Sequence, residues 1–103
     1  MASGTTKSTQ TQIVVETVQR SGISYDSGEY AYIRFGTDNS TIVKDGYTAI
    51  GIGGWQLTGT NATLARVGAV YMPSSTEARI QITNTSSITA TYTVKLDVIY
   101  QKN

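Results

Sequence analysis

The chain has 103 residues, enough for one domain with one hydrophobic core. It contains no cysteine and no histidine, which excludes disulfides, Cys/His metal sites and Ser-His-Asp catalysis. The net charge of +1 is too small for affinity dominated by phosphate neutralisation, so we expect no nucleic-acid partner. No apolar run approaches the roughly 18 residues of a membrane span, so we expect no membrane insertion.

The composition favours β-structure. Ten Ile, eight Val and 17 Thr stand against three Leu, and β-branched side chains pack well on a pleated sheet but lose rotamer freedom in a helix. The first 12 residues are small and polar with no apolar periodicity, and we expect a flexible lead-in or linker there. They also lack the apolar core of a signal peptide, which predicts synthesis in the cytoplasm. Residues 13–103 are predicted to form a single β-domain.

The first strands of this domain are predicted from alternation. Ile13–Val18 is rich in β-branched residues and is interpreted as a strand. In Glu29–Phe35 one face carries Tyr30, Tyr32 and Arg34, and the other carries three apolar side chains. A loop at 36–40, a short strand at Thr41–Lys44 and a tight turn at Asp45-Gly46 are predicted to follow.

The segment Tyr47–Leu57 is predicted to be a strand with an unusual face. Strict alternation would place Gly51 and Gly53 on one side, with Ile50 and Ile52 on the other, and the bare side would let a large neighbour approach. Ala62–Met72 is predicted to be the next strand. The alternation predicts that Leu64, Arg66, Gly68, Val70 and Met72 share one of its faces.

The last two strands show the plainest alternation. Glu77–Thr83 and Ile88–Tyr100 are joined by Asn84–Ser87, as the two arms of a hairpin would be. Short strands closed by turns leave no room for crossover helices. The predicted fold is therefore all-β, an antiparallel β-sandwich of jelly-roll-like order.

The chemistry-bearing residues do not form a recognisable catalytic set. Asp26, Asp38 and Asp45 sit in turn sequences where carboxylates bond nearby backbone. A glycosidase would need a pair of carboxylates such as Asp26 and Glu29, and this alternative is kept. We predict no enzyme activity, no metal site and no cofactor. Three Asn-x-Ser/Thr sequences, at Asn39, Asn61 and Asn84, are interpreted as polar turns at the surface.

Aromatic residues are the remaining candidates for binding. Tyrosine and tryptophan combine a flat apolar ring with a polar tip, which suits contact with a sugar ring or a protein surface. Tyr92 and Tyr100 lie on an apolar strand face and are expected in the core, whereas Trp55 fits either the core or a contact surface. The predicted glycan-binding residues are Tyr30, Tyr32, Trp55, Asp38, Asn39 and Asn61.

The order of motifs from Gly46 to the end resembles a known family. The segments are Gly-Tyr-Thr-Ala-Ile-Gly-Ile-Gly-Gly-Trp at 46–55, a loop at Thr58–Asn61, strands at Ala62–Tyr71 and Arg79–Thr83, a turn at Asn84–Ser87 and a strand at Thr93–Tyr100. This pattern, over a little more than half the chain, is similar to the C-terminal tip of tail-fibre and baseplate receptor-binding proteins of bacteriophages that infect Gram-positive and gut bacteria.

The resemblance implies a small sandwich, usually trimeric, that is displayed at the tail tip of a virion and adsorbs to host cell-surface polysaccharide or teichoic acid. It carries over the glycine-rich strand and Trp55 as features of the scaffold, and it carries over no receptor-binding residues. The alternative is a structural virion protein, such as a decoration or tail-connector protein, that binds no glycan.

Overall fold

The computed structural model describes residues 12–36 and 41–103. The predicted lead-in, apart from Gln12, and the predicted site residues Asp38 and Asn39 lie outside these ranges. The described residues form strands β1 (Ile13–Tyr25), β2 (Tyr30–Phe35), β3 (Tyr47–Gly59), β4 (Ala65–Ser74), β5 (Glu77–Asn84) and β6 (Ala90–Lys102), with a short 3₁₀ turn at Ala62–Leu64. No helix in this part of the chain is long and apolar enough to cross a membrane.

The strands form two antiparallel sheets of three strands each. The first sheet has the order β1-β6-β3 and the second has the order β2-β5-β4. Strand β1 thus pairs with β6 and β2 with β5, so the pairs are nested around the connection between β3 and β4. This nesting is jelly-roll order, and it confirms the prediction of an all-β antiparallel sandwich.

The core lies between the sheets. Strand β6 is the centre of the first sheet, and its alternate residues from Ala90 to Tyr100 are buried, as the sequence predicts. Tyr92 and Tyr100 are among them, so their assignment to the core is confirmed. The second sheet contributes Ile33, Phe35, Ile80 and Ile82 to the same core.

The predicted hairpin between the last two long strands is wrong. Strand β5 belongs to the second sheet and β6 to the first, so residues 85–89 cross from one sheet to the other. Ile88, predicted in the last strand, is exposed in this crossover. The crossover is held by Asn84, which is fully buried instead of lying at the surface as its glycosylation-type sequence predicted.

Several predicted faces and boundaries also change because of register shifts. In β3 the shifts at Ala49/Gly51 and Ile52/Gly54 break the alternation, so Ile50 is exposed while Ile52 packs against the core. Strand β4 has shifts at Val67/Val70 and Tyr71/Ser74, and it begins at Ala65 because 62–64 form the 3₁₀ turn. A β-bulge adds one residue to one strand and thereby exchanges the two faces beyond it.

Two strand predictions in the N-terminal half of the chain are also corrected by the structure: the end of β1 and the segment Thr41–Lys44. Strand β1 continues through Ser21-Gly22 to Tyr25, with an irregularity between Arg20 and Ile23 that the positive φ of Gly22 accommodates. Thr41–Lys44 is not a strand; it is an irregular segment that the buried Ile42 anchors. The Ile42 carbonyl accepts a hydrogen bond from the Tyr100 hydroxyl at 2.7 Å.

Candidate functional site

The outer face of the second sheet carries a cluster of tyrosines. Tyr30 and Tyr32 project from β2, and Tyr71 projects from β4 across the central strand β5. The Tyr30 and Tyr32 rings are 6.5 Å apart between centroids, and those of Tyr32 and Tyr71 are 6.1 Å apart, both in edge-to-face geometry. We call the outer surface around these three residues the tyrosine face.

Alternation and a bulge together place these rings on one face. In β2 the alternate residues Ile33 and Phe35 are buried in the core, so Tyr30 and Tyr32 must face outwards. In β4 the extra residue opposite Gln81 exchanges the faces, which brings Tyr71 to the same outer side as Arg66. Tyr30 is 60% exposed and Tyr32 is 37% exposed, so both rings are accessible to a ligand.

Gln81 connects the bulge in β4 to the tyrosine cluster. Its side-chain Oε1 accepts a hydrogen bond from the Ala69 backbone N–H at 3.2 Å, and its Nε2 donates to the Tyr30 hydroxyl. A Cβ added at Gly68 would lie 2.2 Å from Gln81 Oε1. The absence of a side chain at position 68 is therefore what allows Gln81 to lie in this position.

The tyrosine face is positively charged. Arg34, Arg66 and Arg79 lie on it, and its one described carboxylate, Glu77, accepts a hydrogen bond from Arg79 Nη2 at 3.2 Å. Arg79 Nη1 also lies 3.5 Å from the Tyr71 hydroxyl. Among the described residues no carboxylate forms an ion pair with either of the other two arginines.

The phenol groups of the cluster influence one another. The neighbouring Tyr30 phenol raises the pKa of Tyr32 above its ordinary value of 10.0, with smaller contributions from desolvation and from Tyr71. The Tyr32 phenol is therefore a neutral hydrogen-bonding group at physiological pH, and the positive charge of the face comes from the arginines.

Trp55 does not join the tyrosines. It lies on β3, the edge strand of the first sheet, and is 47% exposed. It lines a shallow polar cavity of about 370 Å³ together with Thr17, Gln56, Lys95 and Asp97. The Thr17 hydroxyl donates to Asp97 Oδ1 at 2.7 Å across β1 and β6. The cavity is thus on the other side of the sandwich from the tyrosine face.

The outer face of the first sheet also carries an aliphatic patch next to this cavity. We define the patch as Ile13, Val15, Ile50 and Ile99. Val15 and Gly51 both pair with Ile99 across the sheet, and Ile13, Val15 and Ile50 are exposed. A Cβ added at Gly51 would have no neighbouring atom within 4 Å, so this side of β3 is open. Exposed apolar side chains grouped on one side of a sheet are typical of an interaction surface.

The predicted site residues therefore separate into different regions. Tyr30 and Tyr32 are together and exposed, Trp55 is on the other sheet, and Asn61 is in the connection between β3 and β4 with a left-handed backbone of φ 57°. Sequence reasoning missed Tyr71, Gln81 and Arg79, which reach the tyrosines only through the pairing of β5 with its neighbours. Gly68 within a strand was a signal of the bulge that brings Tyr71 there.

The carboxylates proposed for an enzymatic alternative have structural contacts. Glu29 Oε1 accepts a hydrogen bond from the Asp26 backbone N–H at 2.8 Å, and the Glu29 N–H donates to the Asp26 carbonyl at 2.9 Å. Asp26 Oδ1 accepts from the Thr89 hydroxyl at 3.3 Å. The Glu29 side chain thus helps to close the turn between β1 and β2, and the Asp26 side chain joins that turn to the crossover between β5 and β6. The described residues contain no group of three or more acidic side chains placed to hold a metal ion.

By fold and surface, the chain is a small jelly-roll sandwich with an aromatic, basic face on one sheet and an aliphatic face on the other. Searches against models of protein families, curated proteins and solved structures found no match.

Proposed function

We propose that this chain is a non-enzymatic receptor-binding domain of a bacteriophage tail-fibre tip. It adsorbs as a homotrimer to host cell-surface polysaccharide or teichoic acid, after synthesis in the host cytoplasm and assembly into the virion. The observation that carries this proposal is the tyrosine face, a set of accessible rings surrounded by hydrogen-bonding side chains on a three-stranded sheet.

The shape of the tyrosine face favours a polymer over a small substrate. The rings of Tyr30 and Tyr32 offer apolar surfaces to the C–H groups of a sugar, while their hydroxyls and nearby Arg79 can bond its oxygens. The face is an open sheet surface, whereas enzymes that act on small molecules usually enclose them in a concave pocket. An extended chain of sugars can lie across such a surface without being enclosed.

The aliphatic patch supports assembly on the opposite side. A second copy that covers Val15 and Ile50 would remove exposed apolar surface from water and would leave the tyrosine face of each copy free. Several tyrosine faces in one assembly would bind a repeating polymer by multivalency, which strengthens adsorption without new contacts.

Glycan binding is tested with an array of bacterial capsular polysaccharides and wall teichoic acids probed with labelled protein. Tyr32→Ala is expected to weaken the strongest interaction by about tenfold or more, corresponding to about 1.4 kcal/mol. Thr58→Ala, at an exposed position on the first sheet, is the matched control and is expected to bind normally. Equal binding by wild type and Tyr32→Ala would contradict the proposed site.

Assembly is tested by light scattering across a concentration series. The wild-type chain is expected to form a trimer, and Ile50→Lys is expected to shift it towards monomer because a charge would be buried in the interface. Ile88→Lys is the control, since Ile88 is similarly exposed, at 57% against 52% for Ile50, but lies in the crossover between β5 and β6. A wild-type chain that remains monomeric at high micromolar concentration would contradict a trimeric tip.

The aliphatic patch also favours the second candidate, a structural virion protein that assembles but binds no glycan. The two candidates differ in their use of the tyrosine face. An oligomer that is disrupted by Ile50→Lys, and that binds neither cells nor any polysaccharide, would favour the structural role.

A further inference from the structure

We infer that the tyrosine face receives an anionic group carried by the glycan, a carboxylate or a phosphate, and that Gln81 positions Tyr30 to donate a hydrogen bond to it. This inference rests on the proposed glycan-binding function and adds the chemistry of the ligand. It follows from the direction of the hydrogen bonds and from the charges on the face.

The orientation of the Gln81 amide is fixed by the backbone. The Ala69 N–H can only donate, so the atom that meets it at 3.2 Å must be the amide oxygen. The amide nitrogen then faces Tyr30, and because an NH₂ group can only donate, the Tyr30 oxygen acts as acceptor in this contact. The hydroxyl proton of Tyr30 is left to donate elsewhere, and the acceptors within reach are the neighbouring Tyr32 hydroxyl and a ligand bound on the face.

The arginines add further donors to the face. Arg79 approaches the Tyr71 hydroxyl through Nη1 and can only donate to it, so the Tyr71 proton is likewise directed elsewhere. Arg34 and Arg66 add two guanidinium groups with no carboxylate partner among the described residues. Glu77, the described carboxylate of the face, is engaged with Arg79. A face that is rich in donors and positive charge matches a ligand group that is rich in acceptors and negative charge.

Gly68 provides a way to disturb this arrangement without removing a polar group. An alanine Cβ at position 68 would lie 2.2 Å from Gln81 Oε1 and would force that side chain away from Tyr30. The displaced atom is the end of a flexible side chain, so the fold should tolerate the change. Gly53→Ala is the matched control, because its nearest side-chain contact, on Ile99 in the first sheet, is an ordinary 3.5 Å.

The test measures binding of the full chain to three immobilised polymers: a neutral dextran, a polygalacturonate that carries carboxylates, and a glycerol-phosphate polymer that bears sugar substituents. At least one anionic polymer is expected to bind about tenfold more tightly than dextran, and its affinity should fall several-fold when salt is raised from about 0.05 to 0.5 M. The polymer that is preferred identifies carboxylate or phosphate as the recognised group.

The variants then test the role of Gln81. Gln81→Glu retains an oxygen for the Ala69 N–H but makes Tyr30 the donor to position 81 and adds a negative charge. Gln81→Glu and Gly68→Ala are both expected to lose about tenfold for the anionic polymer and little for dextran, while Gly53→Ala behaves as wild type. Thermal unfolding of each variant shows whether it remains folded.

Four outcomes would overturn the inference or part of it. Equal affinity for neutral and anionic polymers would refute the anionic preference while leaving glycan binding intact, whereas failure to bind any polymer would refute both. Equally strong binding of single-stranded DNA would show that charge alone is recognised. If Gly68→Ala and Gln81→Glu bind like wild type, Gln81 has no positioning role.

Discussion

The clearest prediction concerns Asn84, whose side chain is expected to hold the crossover between the two sheets. Its Nδ2 donates to the carbonyls of Tyr25 at 3.0 Å, Asp26 at 3.2 Å and Ile88 at 2.9 Å. Its Oδ1 accepts from the Ser86 N–H at 3.0 Å and from the Ser86 hydroxyl at 2.6 Å. One buried amide therefore joins the end of β1, the crossover and the start of the turn before β2.

The expected cost of Asn84→Ala follows from these contacts. A hydrogen bond contributes about 1 kcal/mol net, and a buried group left without a partner costs about 1–3 kcal/mol. Because Asn84 is fully buried, the groups that lose it cannot all be rehydrated without opening the crossover. We expect the free energy of unfolding to fall by about 3–5 kcal/mol, and the melting temperature by at least about 12 °C.

Urea denaturation followed by circular dichroism, together with calorimetry, measures this loss. Ser87→Ala, at an exposed position three residues along the same crossover, is the control and is expected to change stability by less than about 0.5 kcal/mol. Asn84→Asp preserves the shape but removes the NH₂ donor, so it should be at least as destabilising as Asn84→Ala at neutral pH. A loss below about 1 kcal/mol for Asn84→Ala would refute the assignment of the crossover to this side chain.

Two further predictions test the core and the chain reversal at the end of β3. Burial raises the pKa of Tyr25 to about 12, with a further contribution from Glu29, so the folded chain keeps a proton that the unfolded chain releases near pH 10.0. The free energy of unfolding should therefore fall as pH rises from about 10 to 12, by at most about 2–3 kcal/mol from this group. Denaturation curves of Tyr25→Phe should show a shallower fall over this pH range and no loss of stability at pH 7. A fall as steep as that of the wild type would contradict the assignment. Gly59 has φ 124°, and a Cβ added there would lie 2.2 Å from the Thr91 carbonyl oxygen, so Gly59→Ala should lower the free energy of unfolding by about 2–4 kcal/mol. Gly51→Ala is the control and should unfold thermally like the wild type, because a Cβ added there has no atom within 4 Å. Equal effects of the two substitutions would refute the steric argument.

The alternation of apolar and polar residues correctly predicted the buried and exposed faces of strands that have one face in the core and a regular register. In β6 the residues from Tyr92 to Tyr100 follow a strict period of two because the strand is central in its sheet and its inner face is fully buried. The same reasoning placed Tyr30 and Tyr32 on the outside, because the alternate residues Ile33 and Phe35 require the core. Two of the three tyrosines that define the tyrosine face could be predicted for this reason.

The position of Tyr71, the pairing of the last strands and the burial of Asn84 depended on features that a single sequence does not display. The prediction that Arg66 and Val70 share a face fails because the bulge between Val67 and Val70 exchanges the faces, so Val70 packs on the core while Arg66 and Tyr71 face outwards. The hairpin prediction fails because strands adjacent in sequence were assumed to pair. A buried Asn84 and a surface turn asparagine are identical in sequence, and only the surrounding carbonyls distinguish them.

The two outer faces of the sandwich differ in chemistry, and this difference links the proposed assembly through the first sheet to the proposed glycan binding on the second. Both sheets bury one face in the same core, so packing alone would permit any polar pattern on both outer faces. Instead the first sheet exposes Val15 and Ile50 beside bare glycine, and the second exposes Tyr30 and Tyr32 beside arginines. Association through the first sheet would leave every tyrosine face directed outwards. An open face that binds each sugar weakly could then achieve firm adsorption, because linked sites gain roughly 10²- to 10⁴-fold in strength when a repeating polymer engages them together.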